Sequence, residues 1–282
     1  MGALQSMTST DVTMLLRYRE EPVKLVSGEG GRGWLSLTTI CSGHPDFCHD
    51  VRAKRANVRD GRRRYDREMG SMTAAVDVRQ VTVRYGSTLV LDSIDLRISE
   101  GAAVALVGEN GSGKSTLLRC VTGLQEPTAG DISVFAAAPG RGADFWRQVA
   151  TTVESPSWYQ GLTVREHLDL VRVVNGGDPD DGHIAELCVT LGLTGLSDSL
   201  PSTLSSGQRQ RFLLAATLVR PSRLLVLDEP EQRLDTRIKG AVAAYLRSYV
   251  ATGGTLVMAS HDDGFRVSVG AGEFVLIRPG AE

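Results

Sequence analysis

Nine consecutive residues carry the clearest chemistry in the chain: Gly108, Glu109, Asn110, Gly111, Ser112, Gly113, Lys114, Ser115 and Thr116, directly after the apolar run 102–107. An apolar strand, a glycine-rich turn and a helix opening on Lys-Ser-Thr make a phosphate-binding loop. Gly108, Gly111 and Gly113 reach backbone conformations closed to residues with a Cβ, so successive N–H groups can turn inward around phosphate oxygens. The helix expected over 114–121 points its positive end at the same place. Lys114 offers an ammonium to the β- and γ-phosphates, and Ser115 a hydroxyl to Mg²⁺. These residue types in this order imply a site for a nucleotide triphosphate.

Such a loop needs strands and helices to hold it. Residues 76–85 alternate apolar and polar, and 89–98 do so again after Gly86-Ser87-Thr88, which predicts an antiparallel pair. Residues 131–135 read as another short strand. The pattern then changes: 145–149, 164–174 and 184–193 place apolar residues three or four apart, with Gly161, Gly176, Gly177, Pro179 and Gly182 between them. A small helical subdomain is therefore expected over about 136–205. A further helix runs through Leu213, Ala216 and Leu218, and another through Ile238, Val242, Tyr245 and Leu246. Residues 224–227 and 255–259 are wholly apolar, as strands covered on both faces are; they end in Asp228-Glu229-Pro230 and Ser260-His261-Asp262. With 274–277 as a last strand, strands alternate with helices, giving an α/β fold around a mostly parallel sheet.

The 282 residues suffice for one such domain with an extension, and 41% hydrophobic and 23% charged residues are ordinary for a globular chain. A net charge of -2 gives no reason to expect a nucleic-acid partner. No apolar run approaches the roughly 18–20 residues that cross a bilayer, so a cytoplasmic location is expected, with any membrane role supplied by a partner. Cys41, Cys48, Cys120 and Cys188 are too scattered for a disulfide framework and fit a reducing compartment. Residues 1–72 hold no sustained period and read as a disordered or weakly structured extension, with Met72 as a candidate natural start and 73–282 as the domain. Its basic cluster from Arg52 to Arg67 reads as a solvated tail, and Cys41, His44, Cys48 and His49 have no defensible zinc spacing.

From about Ala75 to the C-terminus the chain resembles the nucleotide-binding domain of ABC (ATP-binding cassette) transporter subunits: GENGSGKST, LSSGQRQR, LLVLDEP, RLD and SH stand in the family's order. The resemblance implies a P-loop NTPase of ABC type, with a mostly parallel core sheet, an antiparallel β subdomain and a small helical subdomain. It implies that Tyr85 stacks on adenine, that Asp228 holds Mg²⁺ directly or through water, that Glu229 is the general base, and that His261 reaches the γ-phosphate and positions the attacking water. Ser205, Ser206, Gly207 and Gln208 correspond to the signature loop, which binds the nucleotide of a second subunit, and Asp235 to the loop across that interface. The implied assembly is a head-to-tail dimer, expected to be a homodimer, clasping two ATP molecules at the inner face of the membrane. It would drive a separately encoded permease, with export preferred because the cassette is compact.

Four positions depart from the family. Ser206 stands where a glycine is usual, Glu154 takes the place of a magnesium-contacting glutamine, and Gln232 and Arg233 replace small residues before Leu234-Asp235. Two other classes compete: a soluble ABC-type ATPase acting on ribosomes or DNA, and a nucleotide-binding regulator that hydrolyses nothing. The single cassette, with no room between Lys114 and Ser205 for a long heptad array, argues against the first. Retention of Glu229 and His261 argues against the second.

Overall fold

The computed structural model describes residues 73–153, 158–180 and 182–279. The expectations for 1–72 and for Glu154 lie outside these residues. Two sheets frame the domain. Strands β1 (Ala74–Tyr85), β2 (Thr88–Ser99) and β4 (Ala129–Val134) form an antiparallel sheet in the order β2-β1-β4. Strands β5 (Val149–Thr151), β6 (Leu224–Asp228), β7 (Thr255–Ala259), β3 (Ala103–Val107) and β8 (Gly272–Val275) form a parallel sheet in the order β5-β6-β7-β3-β8. The period-2 pattern of residues 76–98 produces the β1–β2 hairpin, which turns through Gly86 at φ 59°.

Seven α-helices complete the described domain: α1 (Lys114–Val121), α2 (Gly142–Gln148), α3 (Val164–Val174), α4 (His183–Thr190), α5 (Ser206–Leu218), α6 (Thr236–Ala251) and α7 (Asp263–Val269). Strand alternation divides the core in two. Leu224, Val226, Val257, Val104 and Leu106 face α1 and the antiparallel sheet. Leu225, Leu227, Leu256, Met258 and Ala105 face the other way, where α3 to α7 cover them. Both faces of the parallel sheet are thus buried, which is why its strands read as unbroken apolar runs.

The structure differs from the sequence-based reading at three places. Helix α2 ends at Gln148, and Val149 opens β5, which pairs with β6 as the edge strand of the core sheet. A three-residue strand inside a segment of helical spacing has too little length to show a period of two. Helix α7 was not anticipated either; Asp262 caps it by accepting from the Phe265 N–H, a local signal that a seven-residue helix hardly amplifies. The last strand lies at Gly272–Val275, two residues before the expected range. No helix among the described residues is long and apolar enough to cross a membrane.

Candidate functional site

The site is assembled by strand order. β6, β7 and β3 are neighbours and run parallel, so their carboxyl ends lie along one edge of the sheet. β3 runs into the glycine-rich loop, β6 ends on Asp228-Glu229 and β7 on Ser260-His261. Ligands of open parallel sheets bind at this end, because the loops there diverge and leave a crevice.

Close packing shapes the loop. A Cβ on Gly108 would stand 2.3 Å from the Leu276 carbonyl oxygen and 2.6 Å from Ser112 Oγ. Gly113, at φ 99°, precedes α1 directly, and a Cβ there would meet Leu91 Cδ2 at 2.5 Å. No side chain caps α1 and no acidic residue occupies its first turn, so its N-terminal donors remain available. Ser112 is 1% exposed and its Oγ has no partner among the described residues. Lys114 is 7% exposed, with Nζ donating to the carbonyls of Gly108 (2.7 Å) and Glu109 (3.0 Å). Burial lowers its pKa, and the carboxylates of Glu229 and Asp228 partly oppose that shift. A buried ammonium, an unpartnered buried hydroxyl and a bare helix N-terminus in one loop suit a polyanion with an associated cation. Ser115 is half-buried at the start of α1, Thr116 is buried behind it, and Glu109 and Asn110 are exposed at the loop tip.

Across from the loop, the Asp228 N–H donates to Thr152 Oγ1 at 2.9 Å, fixing the end of β6 to the residue after β5. Glu229 sits at φ 47°, left-handed and costly for a residue with a Cβ, and its N–H donates to the Ala259 carbonyl at 2.9 Å. His261 Nε2 lies 3.3 Å from Glu229 Oε1, and Gln232 Nε2 donates to Glu229 Oε2 at 2.7 Å. Lys114, Asp228, Glu229 and His261 therefore gather at one edge. Thr152 joins them unannounced, as does Gln232, which the sequence marked only as a departure from the family. Gln232 stands three residues past Glu229 across a proline, the spacing of a turn, and that signal could have found it; Thr152 carried none.

The remaining residues lie elsewhere. Tyr85 ends β1, is 46% exposed, and reaches Gln125 Oε1 with its hydroxyl at 3.4 Å, leaving the ring open to a flat ligand. Ser205 caps α5: its Oγ accepts from the Gln208 N–H (3.3 Å), while Gln208 Oε1 accepts from the Ser205 N–H (2.8 Å). Ser206 and Gly207 form the first turn of that helix. Asp235 caps α6 by accepting from the Ile238 N–H at 2.9 Å. Among the described residues no hydrogen bond or ion pair joins the Ser205–Gln208 turn to the glycine-rich loop.

Comparison with known proteins decides the family. Residues 91–232 match the family model described as ABC transporter. The chain belongs to the ABC transporter family. Two curated relatives are similar to this ABC cassette. One is the sulfoquinovosyl glycerol transport ATP-binding protein SmoE of Agrobacterium fabrum, 31% identical over 210 residues, 73% of this chain and 58% of SmoE. The other is the sulfate/thiosulfate import ATP-binding protein CysA of Synechococcus elongatus, 34% identical over 190 residues, 66% of this chain and 55% of CysA. The chain thus spans little more than half the length of these two. A solved ATP-binding subunit of an ABC transporter superposes with a TM-score of 0.64 at 26% identity, covering 72% of this chain and 85% of that one. The ABC-type P-loop fold, with its parallel core sheet, antiparallel sheet and helical part, is thereby confirmed.

Proposed function

We propose that this ABC cassette binds ATP with Mg²⁺ at the glycine-rich loop and hydrolyses it to drive a membrane transporter whose spanning part is a separate chain. The observation that carries the reading is the convergence of Lys114, Asp228, Glu229 and His261 beside a loop whose helix N-terminus is uncapped and whose buried Ser112 hydroxyl has no partner among the described residues. Tyr85 stacks on the adenine, and the N–H groups from Gly108 to Thr116 surround the phosphates. Lys114 leaves its carbonyl partners for the phosphate oxygens. Ser115 and Asp228 would hold Mg²⁺, which supplies charge neutralisation between the phosphates when bound; Glu154 belongs to the same set by its place in the sequence. The Glu229 carboxylate accepts a proton from water as the water oxygen attacks the γ-phosphorus. The bond to the β,γ-bridging oxygen breaks and ADP carries the charge away, with His261 orienting the water and the γ-phosphoryl group.

The Ser205–Gln208 turn has no hydrogen bond or ion pair to the glycine-rich loop of its own chain among the described residues, which supports a second copy bringing Ser205, Ser206, Gly207 and Gln208 to the nucleotide, with Asp235 at the interface, as in a head-to-tail dimer. The Ser205 hydroxyl only accepts within its own cap, so its proton stays free for a phosphate oxygen. This chemistry is the same for uptake and export. The test is Glu229→Gln. With Mg²⁺ and ATP, nucleotide binding should persist, turnover should fall by about 10²-fold or more, and a dimer should accumulate on size exclusion. Turnover at the wild-type rate would remove Glu229 from the mechanism.

A further inference from the structure

Gln232 departs from the small residue the family resemblance suggests, and the structure gives it a specific contact. Glu229 and Gln232 close a tight turn: the Gln232 N–H donates to the Glu229 carbonyl at 3.0 Å, and Pro230 fixes φ between them. Over this turn the Gln232 amide donates to Glu229 Oε2 at 2.7 Å. The turn is anchored below by Glu231, which is buried and accepts at Oε1 from the hydroxyl of Ser260, the residue before His261. His261 approaches the other Glu229 oxygen at 3.3 Å. One carboxylate oxygen is thus hydrogen-bonded by Gln232 and the other approached by His261, from the ends of β6 and β7, on a residue whose backbone is strained.

We infer that Gln232 is a positioning residue for hydrolysis: its amide fixes the rotation of the Glu229 carboxylate so that the oxygen facing His261 is presented to water. This rests on the reading of Glu229 as the base. Gln232 suits the task because its amide donates without competing for a proton, and each carboxylate oxygen keeps a second lone pair for water. The short span from 229 to 232 keeps the ordering penalty small although the pair is exposed.

The test uses the full chain and two variants. Gln232→Ala removes the amide, and Gln232→Glu keeps its size while replacing the donor with an acceptor. Both should lower kcat on the order of tenfold and leave the KM and the equilibrium affinity for ATP within about twofold. In the Glu229→Gln background, Gln232→Ala should lower residual turnover no further. An unchanged kcat in Gln232→Glu, a parallel loss of ATP affinity, or an undiminished effect in the Glu229→Gln background would each overturn the inference. Independently of turnover, the ¹⁵N side-chain amide signal of Gln232, assigned by its loss in Gln232→Ala, should shift in Glu229→Ala; an unmoved signal would also overturn it. Wild-type turnover in Glu229→Gln alone would fault the base itself, a failure distinct from that of Gln232.

Discussion

His167 lies 5% exposed in α3, its ring edge-on to Phe212 at 5.2 Å, and its Nδ1 has no partner among the described residues. Burial pushes its pKa down from 6.5 to about 4. Between those values the unfolded chain binds a proton that the native state refuses, so stability rises with pH through this window and falls as the pH drops from 6.5 towards 4. The effect is on the order of 3 kcal/mol. Thermal melts from pH 7 to 4 should show the loss, and His167→Leu should flatten the curve; an unchanged slope would mean another group is responsible. The depressed carboxyls separate cleanly from it. Glu166, hydrogen-bonded by Thr163, and Asp262, hydrogen-bonded by Lys239, withdraw their stabilisation only as pH falls below 4.5 and 3.8, respectively.

At the level of elements, helices α3 and α5 start from capping boxes. Thr163 and Glu166 bond reciprocally at the start of α3, as Ser205 and Gln208 do at the start of α5. In α3 the Thr163 N–H donates to Glu166 Oε2 at 2.9 Å and the Glu166 N–H to Thr163 Oγ1 at 3.3 Å. Thr163→Ala should cost about 1 kcal/mol in urea unfolding and raise amide exchange in the first turn of α3 above the rest of the helix. Uniform exchange along α3 would show that packing alone sets where it begins. The helix was legible over 164–174 from its spacing, whereas its cap was not singled out. Ser205 carries both a local role and the proposed distant one, because a hydroxyl accepts and donates at once.

At the scale of the whole molecule, the parallel sheet separates two apolar cores. Phe212 is fully buried in the core formed with α3, α4 and α6, where helical part and sheet meet. Phe212→Ala should destabilise the domain by about 3–5 kcal/mol through lost burial and the cavity left behind. Chemical denaturation followed by helix signal would measure it. A loss under about 1 kcal/mol would mean that the neighbouring helices collapse into the space.

Local chemistry determined what the sequence could announce. The glycine-rich loop needs nine adjacent residues; the helix over 114–121 stands where that loop motif placed it, and the strand over 255–259 where its apolar run did. The α/β alternation followed from the same patterns. Tertiary structure decided the rest, because it depends on strands distant in sequence becoming neighbours. The order β6-β7-β3 sets Asp228, His261 and Lys114 along one edge, and no period in the chain encodes that order. Strand β5 is too short to signal itself and exists because β6 offers an edge to pair with. Glu229 gains its Gln232 hydrogen bond and its approach to His261 only once the turn through Pro230 is folded and β7 has delivered His261. Spacing names candidate groups, but hydrogen bonds act over about 3 Å, and only the packed sheet sets distances that short.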